Sequence, residues 1–400
     1  MSVAEAGPAA TPAAAVEVLV VDDSSFNRLL LKRRLAELGY ETVTMVTNGR
    51  EALAAMQARA FDVVLLDLEM PELDGIGVLE HMRASGKPEP PVIVISALSD
   101  LSGVVRCIEL GAEDYLPKSF DPPLLRARLS AILEKKRLRD LAAERLAALE
   151  AELESARQAQ LSLVPHDFAG IGCGRLSLHA VMVPARQVGG DLYDALRLDD
   201  RRLLFAIGDV SGKGAPAALT MARTLGLMRA AARRLAAAEP GLPDPGVILA
   251  LTNDDLAMEN DSQTFVTGIL GFVDAATGEV RMASAGHDPV ALLAPGAPPR
   301  LLQPGQRRPA LGVMEGLVFP SDRLTLAPGE GLLLYTDGVT EAEDRAQRFY
   351  TRERLIAQLE GQGGAAPEAI IARVIADLDA FAQGAPQADD ITALALRYAG

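Results

Sequence analysis

A basic excess is the first thing this 400-residue chain lacks: 39 Lys and Arg stand against 54 Asp and Glu, for a formal charge of −15. Coating nucleic acid requires a net basic face that displaces counterions, so the balance argues against that class and reads as solubility. Cysteine is scarce too. Cys107 and Cys173 show no pairing pattern, so no disulfide framework is expected and a reducing compartment suits the chain. No apolar run approaches the ~18 residues of a membrane span. The opening "MSVAEAGPAATPAAA" has neither a basic n-region nor an apolar h-region, so a cytoplasmic protein with a disordered Ala/Pro tail over 1–14 is expected. Hydrolytic nucleophile motifs are missing as well. Cys173 has no Arg at the sixth position after it, there is no Gly-x-Ser-x-Gly, and His81, His166, His179 and His287 form no His-Glu-x-x-His.

What is present begins at Val16, where short apolar runs ("VEVLVV", "ETVTMV", "FDVVLL", "PVIVIS", "DYLPK") alternate with amphipathic stretches. Five buried-type strands separated by helices predict a doubly wound parallel sheet over 15–134, with right-handed crossovers and function at its carboxyl edge. Asp22 and Asp23 follow the first strand, Asp67 the third, Ser96 the fourth and Lys118 the fifth. Three converging carboxylates repel one another unless a hard cation offsets them, which implies Mg²⁺. A carboxylate with a metal, a hydroxyl and an ammonium beside it has the parts that stabilise an arriving phosphoryl group.

"VVDDSS", "LLDLEMPELDG", "VISAL" and "YLPKSF", in that order, resemble the response-regulator receiver family, whose fold is flavodoxin-like. The resemblance implies that Asp67 is the phosphoacceptor, that Asp22, Asp23 and the Glu69 carbonyl bind Mg²⁺ with it, that Ser96 and Lys118 hold the phosphate, and that Tyr115 is the aromatic switch residue. A sensor histidine kinase or phosphotransfer protein is the implied donor.

After Pro122 and Pro123 the chain runs to Pro165 without Gly or Pro, rich in Ala, Leu, Glu and Arg, and predicts a long helix, with a linker over 135–164. Leu125, Leu129 and Ile132 form one apolar face; Leu146, Leu149, Leu153, Ala156, Gln160 and Leu163 step by three and four and predict a coiled-coil seam, hence a homodimer. The basic "KKRLR", Lys135 to Arg139, is read as a solvated face.

From 165 to 400 the pattern turns β-rich, with helix-like stretches near Pro216–Ala238, Gly246–Glu259 and two more before "ITALALRY"; an α/β sandwich is expected. Asp191, Asp194, Asp209, Asp337, Asp389 and Asp390 fall at strand ends. "IGDVSGKG" looks like a phosphate loop, but Gly208 and Gly212 are one residue too close and Gly214 stands where the hydroxyl belongs. With oxygen ligands only, the loop reads as a metal turn for Mg²⁺ or Mn²⁺, two of which could activate water and clamp a phosphate.

"SARQAQLSLVP", "VPARQVGGDLYD", "IGDVSGKG", "SAGHDPVALL", "LAPGEGLLLYTDGVTEA" and "DDITALAL" resemble the PPM family of metal-dependent serine/threonine phosphatases, related to protein phosphatase 2C, in its RsbU and SpoIIE branch. The resemblance implies two or more Mn²⁺ or Mg²⁺ held by Asp209 as the bridging ligand, the Val210 carbonyl, Asp191, Asp337 and Asp390, with Asp194 and Asp389 as further candidates and Arg186 placed where a phosphate-binding arginine could sit. His287 and Lys213 are read as structural and exposed. "EDRAQRFYTRERL" departs from relatives, which place a glycine after the aromatic residue. The implied substrate is a phosphoserine or phosphothreonine protein of the STAS-type anti-sigma-factor antagonist class; no membrane or nucleic-acid partner is expected. Two rivals are a phosphorylation-gated binder without turnover and a DNA-binding regulator, the latter lacking any basic helix-turn-helix segment.

Overall fold

The computed structural model describes residues 16–85, 89–96, 101–172, 174–258, 260, 263–302 and 308–400. The N-terminal tail and Cys173 lie outside the described residues. The chain divides into two compact units, 1–148 and 149–400.

In the first unit, β1 (Val18–Val21), α1 (Ser25–Glu37), β2 (Val43–Val46), α2 (Gly49–Ala58), β3 (Val63–Asp67), α3 (Gly75–Ser85), β4 (Val92–Ser96), α4 (Leu101–Glu109) and β5 (Asp114–Pro117) alternate strictly. The sheet is parallel throughout, in the order β2-β1-β3-β4-β5. Successive strand side chains point to opposite faces. Val18, Val20, Val63 and Leu65 therefore pack with Leu31 and Leu35 of α1, while Leu19, Val21, Val64 and Leu66 pack with Val78, Leu79 and Met82 of α3. Burial on both faces explains why β1, β3 and β4 read as unbroken apolar runs.

Helix α5 (Pro122–Leu161) is continuous over 40 residues. Its two prolines sit in the first turn, where the missing N–H groups cost no helical bond. Leu125, Leu129 and Ile132 join the core of the first unit. The basic stretch is more than a solvated face. Lys135 pairs with Glu113, Arg139 reaches the same carboxylate at 2.5 Å, and Lys136 lies 3.1 Å from Asp62. Burial works against the Glu113 charge, but these two cations outweigh it and hold its carboxyl below the usual range. Leu146, Leu149, Leu153 and Ala156 of the expected seam are exposed, whereas Gln160 is buried.

The second unit contains β6 (Leu176–Val183), β7 (Leu192–Arg197), β8 (Arg202–Val210), α6 (Ala215–Ala238), α7 (Pro245–Ala257), β9 (Val266–Asp274), β10 (Glu279–Ala285), β11 (Val290–Leu293), β12 (Arg300–Leu302), β13 (Ser321–Thr325), β14 (Gly331–Tyr335), α8 (Asp337–Thr340), α9 (Arg352–Leu359), α10 (Pro367–Ala382) and β15 (Ile391–Tyr398). Two antiparallel sheets, β13-β10-β9-β8-β7 and β12-β11-β14-β15-β6, face each other. Leu332, Leu334, Leu394 and Leu396 belong to one continuous core with Phe205 and Phe272, which lie on opposite faces of the other sheet, and with Met221 and Leu225 of α6. The alternate residues Leu333, Tyr335, Ala393 and Ala395 pack outward against Leu355 of α9 and Ile371 and Val374 of α10. The result is a sandwich with helices on both outer faces, as the strand and helix pattern predicted.

Candidate functional site

The parallel sheet delivers the first acidic cluster. Asp22, Asp23 and Asp67 bring carboxylate oxygens within 4.8 Å of one another. Lys118, just past β5, places its ammonium 2.8 Å from Asp67 Oδ2, and its backbone N–H donates to the Ser96 carbonyl at 2.8 Å. Asp22 and Asp67 are buried, Ser96 lies buried at the end of β4, and Tyr115 is exposed on β5. The Glu69 N–H lies 3.5 Å from Asp67 Oδ1. Burial, and then Asp67, raise the Asp22 carboxyl, although the Ser24 N–H and the Asn27 amide donate to it. Burial also opposes the Lys118 charge, but Asp67, Asp22 and Glu69 outweigh it and hold the ammonium above its usual range. Three carboxylates served by one lysine keep a negative excess in an oxygen-only pocket, which fits a hard divalent cation.

In the second unit, Asp191 precedes β7, Asp209 lies at the end of β8, Asp337 opens α8, and Asp389 and Asp390 precede β15. Burial and then Asp337 and Asp389 push the Asp209 carboxyl up to about 7. Burial and Asp209 hold Asp191 well above the ordinary range, and burial with Glu341, Asp389 and Asp288 raises Asp337. Acids that disfavour one another's charge this strongly fit a site whose cations complete it. The Val210 carbonyl oxygen packs on Gly190, where a Cβ would sit 2.7 Å from it, so the backbone at the metal turn closes directly on the Gly-Gly-Asp turn. Gly212 and Gly214 adopt φ of 93° and 78°, the left-handed region that lets the loop leave β8 and start α6 within four residues.

The acids differ in what already occupies their oxygens. Asp390 is engaged at both oxygens: Oδ1 accepts the Ala185 N–H at 2.8 Å, and Oδ2 accepts those of Gly190 at 2.7 Å and Asp191 at 3.4 Å. Asp389 is half-exposed and meets Lys213 at 3.0 Å, whose ammonium also donates to the Ala388 carbonyl at 2.6 Å. Lys213 therefore latches the Gly-rich loop to the Asp389 turn. Asp191 Oδ2 accepts the Thr336 hydroxyl at 2.8 Å. Asp194 lies apart from the cluster, in a two-bond pair with Arg229 of α6 at 2.7 and 2.8 Å. Arg186 is exposed and makes no ion pair among the described residues. His287 meets the Thr267 hydroxyl through Nδ1 at 3.0 Å, and burial pushes its ring down to about 4.

Sequence reasoning missed three participants. Thr336 stands next to Asp337 inside a motif where only the acid drew notice. Arg229 had no local signal. Gln160 had one: it is the lone amide in an otherwise aliphatic seam.

Among the described residues no helix is long and apolar enough to cross a membrane. Residues 18–130 match the response regulator receiver domain, and residues 199–399 match the family Stage II sporulation protein E (SpoIIE). Protein IcfG of Synechocystis is 35% identical over 266 residues, 61% of this chain and 41% of that protein. The probable transcriptional regulator ycf27 of Guillardia theta is 41% identical over 119 residues, 30% of this chain and 46% of its own length. The chain thus spans less than half the length of these curated relatives. Among solved structures, the SiaA-PP2C domain of Pseudomonas aeruginosa aligns with 64% of this chain and 99% of its own at 24% identity and a TM-score of 0.55, which shows the fold. With a receiver domain ahead of a phosphatase-type sandwich whose family match covers half its length, the chain belongs to the SpoIIE family.

Proposed function

We propose that the protein is a response regulator with a phosphatase output: phosphorylation of Asp67 by a histidine kinase or phosphotransfer protein controls hydrolysis of a phosphoserine or phosphothreonine protein. The substrate class is a STAS-type anti-sigma-factor antagonist, by likeness to the family. The observation that carries the hydrolytic reading is the close packing of four acid-bearing segments: Gly190 lies on the Val210 carbonyl, Gly338 lies on the backbone of Asp389 and Asp390, and the Thr336 hydroxyl beside Asp337 donates to Asp191.

Asp209, Asp337 and the Val210 carbonyl would hold Mn²⁺ or Mg²⁺. Asp389 would join them rather than Asp390, which already accepts three backbone amides, while Asp191 accepts the Thr336 hydroxyl. When bound, such ions supply Lewis acidity that eases formation of hydroxide from water and offsets the charge of a phosphate dianion. Asp390 shapes the turn that carries Asp191. Arg186, exposed ahead of that turn, would meet the incoming phosphate. In the receiver, Asp22 and Asp23 would hold Mg²⁺, Lys118 and Ser96 would bind the transferred phosphoryl group, and Tyr115 would report it.

The exposed Leu146, Leu149 and Leu153 fit a second copy of the helix, and movement of that helix is the proposed link between phosphorylation and output. Incubation of the full chain with a phosphoserine protein and Mn²⁺ should release phosphate, and Asp209→Ala should abolish release. Tight binding of the phosphoprotein without phosphate release would instead establish a binder.

A further inference from the structure

We propose that Gln160 is a positioning residue through which the end of α5 fixes the Gly189–Asp191 turn and, with it, the acidic ion site. The proposal rests on the hydrolytic reading above and concerns the second unit alone.

Gln160 is 6% exposed, at the last full turn of a helix whose preceding seam residues face solvent. Its amide is used at both ends by one residue. Nε2 donates to the Gly189 carbonyl at 2.6 Å, and the Gly189 N–H donates to Oε1 at 3.1 Å. The side chain thereby imitates a strand partner, satisfying a buried donor and acceptor that no other described group meets. Glutamate would keep the acceptor and lose the donor; leucine would lose both.

On the other side of the same turn, Asp390 grips the Ala185, Gly190 and Asp191 amides. Gly189 has no room for a side chain because a Cβ there would collide with the Asp390 carboxylate. The turn is held between one side chain from α5 and one from the start of β15. Asp191, its last residue, then meets Asp209 and the Thr336 hydroxyl beside Asp337. Beyond Gln160 the chain is fastened to the sandwich: Arg229 donates to the Leu163 carbonyl at 2.7 Å, Tyr193 donates to the Pro165 carbonyl at 2.8 Å, and Val164 is buried in the core. Withdrawal or rotation of the helix end therefore breaks the Gln160 pair first, while the anchored segment stays in place. Contiguity alone does not establish coupling. A positioning role must show as a change in the turn and in ion affinity beyond any loss of stability.

The test uses the full chain with Gln160→Leu, Gln160→Glu and, as a packing control, Val164→Ala. Hydrogen exchange at the Gly190 and Asp191 amides and calorimetric Mn²⁺ binding without substrate are the readouts. Gln160→Leu should speed exchange at those two amides, which it does not itself touch, and weaken Mn²⁺ binding about tenfold, the scale of losing an outer-shell partner. Gln160→Glu should fall between it and the parent. Val164→Ala should lower the melting temperature without either effect. Unchanged exchange at Gly190 and Asp191 in both Gln160 variants, or equal changes in Val164→Ala, would overturn the proposal. A parent chain that binds no Mn²⁺ in the second unit would overturn the hydrolytic reading instead, and exchange at Gly190 and Asp191 would then decide the role of Gln160 alone.

Discussion

The protein carries two clusters of strand-end aspartates, and they solve the same electrostatic problem differently. In the receiver, Lys118 lies against Asp67, and the Ser24 N–H and Asn27 amide donate to Asp22, so part of the compensation is built in. In the sandwich, the donors go to other acids than Asp209: three amides to Asp390, Thr336 to Asp191, Arg229 to Asp194. Asp209 is left facing Asp337 and Asp389, with a carboxyl raised to about 7. A lysine already in place suits a carboxylate that accepts a phosphoryl group covalently. A site left short of positive charge suits one that takes up metal ions and a substrate phosphate.

The contrast breaks most severely at its two centres. Asp67→Asn should remove receiver labelling by an acyl phosphate entirely, leaving metal-dependent hydrolysis by the second unit measurable. Asp209→Ala should do the reverse, abolishing detectable phosphopeptide hydrolysis, a loss of about 10³-fold or more, with receiver labelling intact.

Adjacent acids sharpen it further. Asp390→Ala strands two buried amides and one half-buried amide and should cost about 2–3 kcal/mol, or roughly 4–12 °C in melting temperature for a unit of this size. Asp389→Ala should leave the melting temperature nearly unchanged and weaken Mn²⁺ binding in the calorimeter.

A pH test separates buried neutral groups from the acids. His287 titrates near 4 when folded and near 6.5 when unfolded, so the unfolded chain binds the extra proton between those values. Its contribution to stability is complete above 6.5 and is lost as pH falls toward 4. His287→Gln should flatten that part of the stability curve measured by denaturant melts.

The smallest effect lies at Thr351, which follows Tyr350 and adopts φ 70°, ψ 155°, a region nearly reserved for glycine. Thr351→Gly should relieve the strain and, after the entropic cost of glycine, stabilise by up to about 1 kcal/mol in a thermal melt.

Much of this was legible in the residues. Unbroken apolar strands ending in Asp22, Asp67 and Ser96 are what a two-faced parallel sheet requires, and the Gly-rich loop around Asp209 marked a close backbone approach. The glycine that the resemblance led one to expect after Tyr350 was visible as a departure, and the positive φ of Thr351 is a conformation glycine adopts without strain. What was hidden depends on pairings far apart in sequence. Asp389 and Asp390 are chemically identical neighbours, and only the approach of Ala185 and Gly190 gives Asp390 backbone donors that Asp389 lacks. Asp194 looked like Asp191 until Arg229, 35 residues on, claimed it. The basic stretch looked solvated because its partners Asp62 and Glu113 lie far off in sequence, just ahead of β3 and β5.

The most direct test of the central claim is phosphate release from a phosphoserine protein as Mn²⁺ is titrated into the full chain and its Asp209→Ala variant. Saturable, chelator-sensitive release is expected in the parent and none in the variant. Release that persists in chelator, or that survives Asp209→Ala, would contradict that claim.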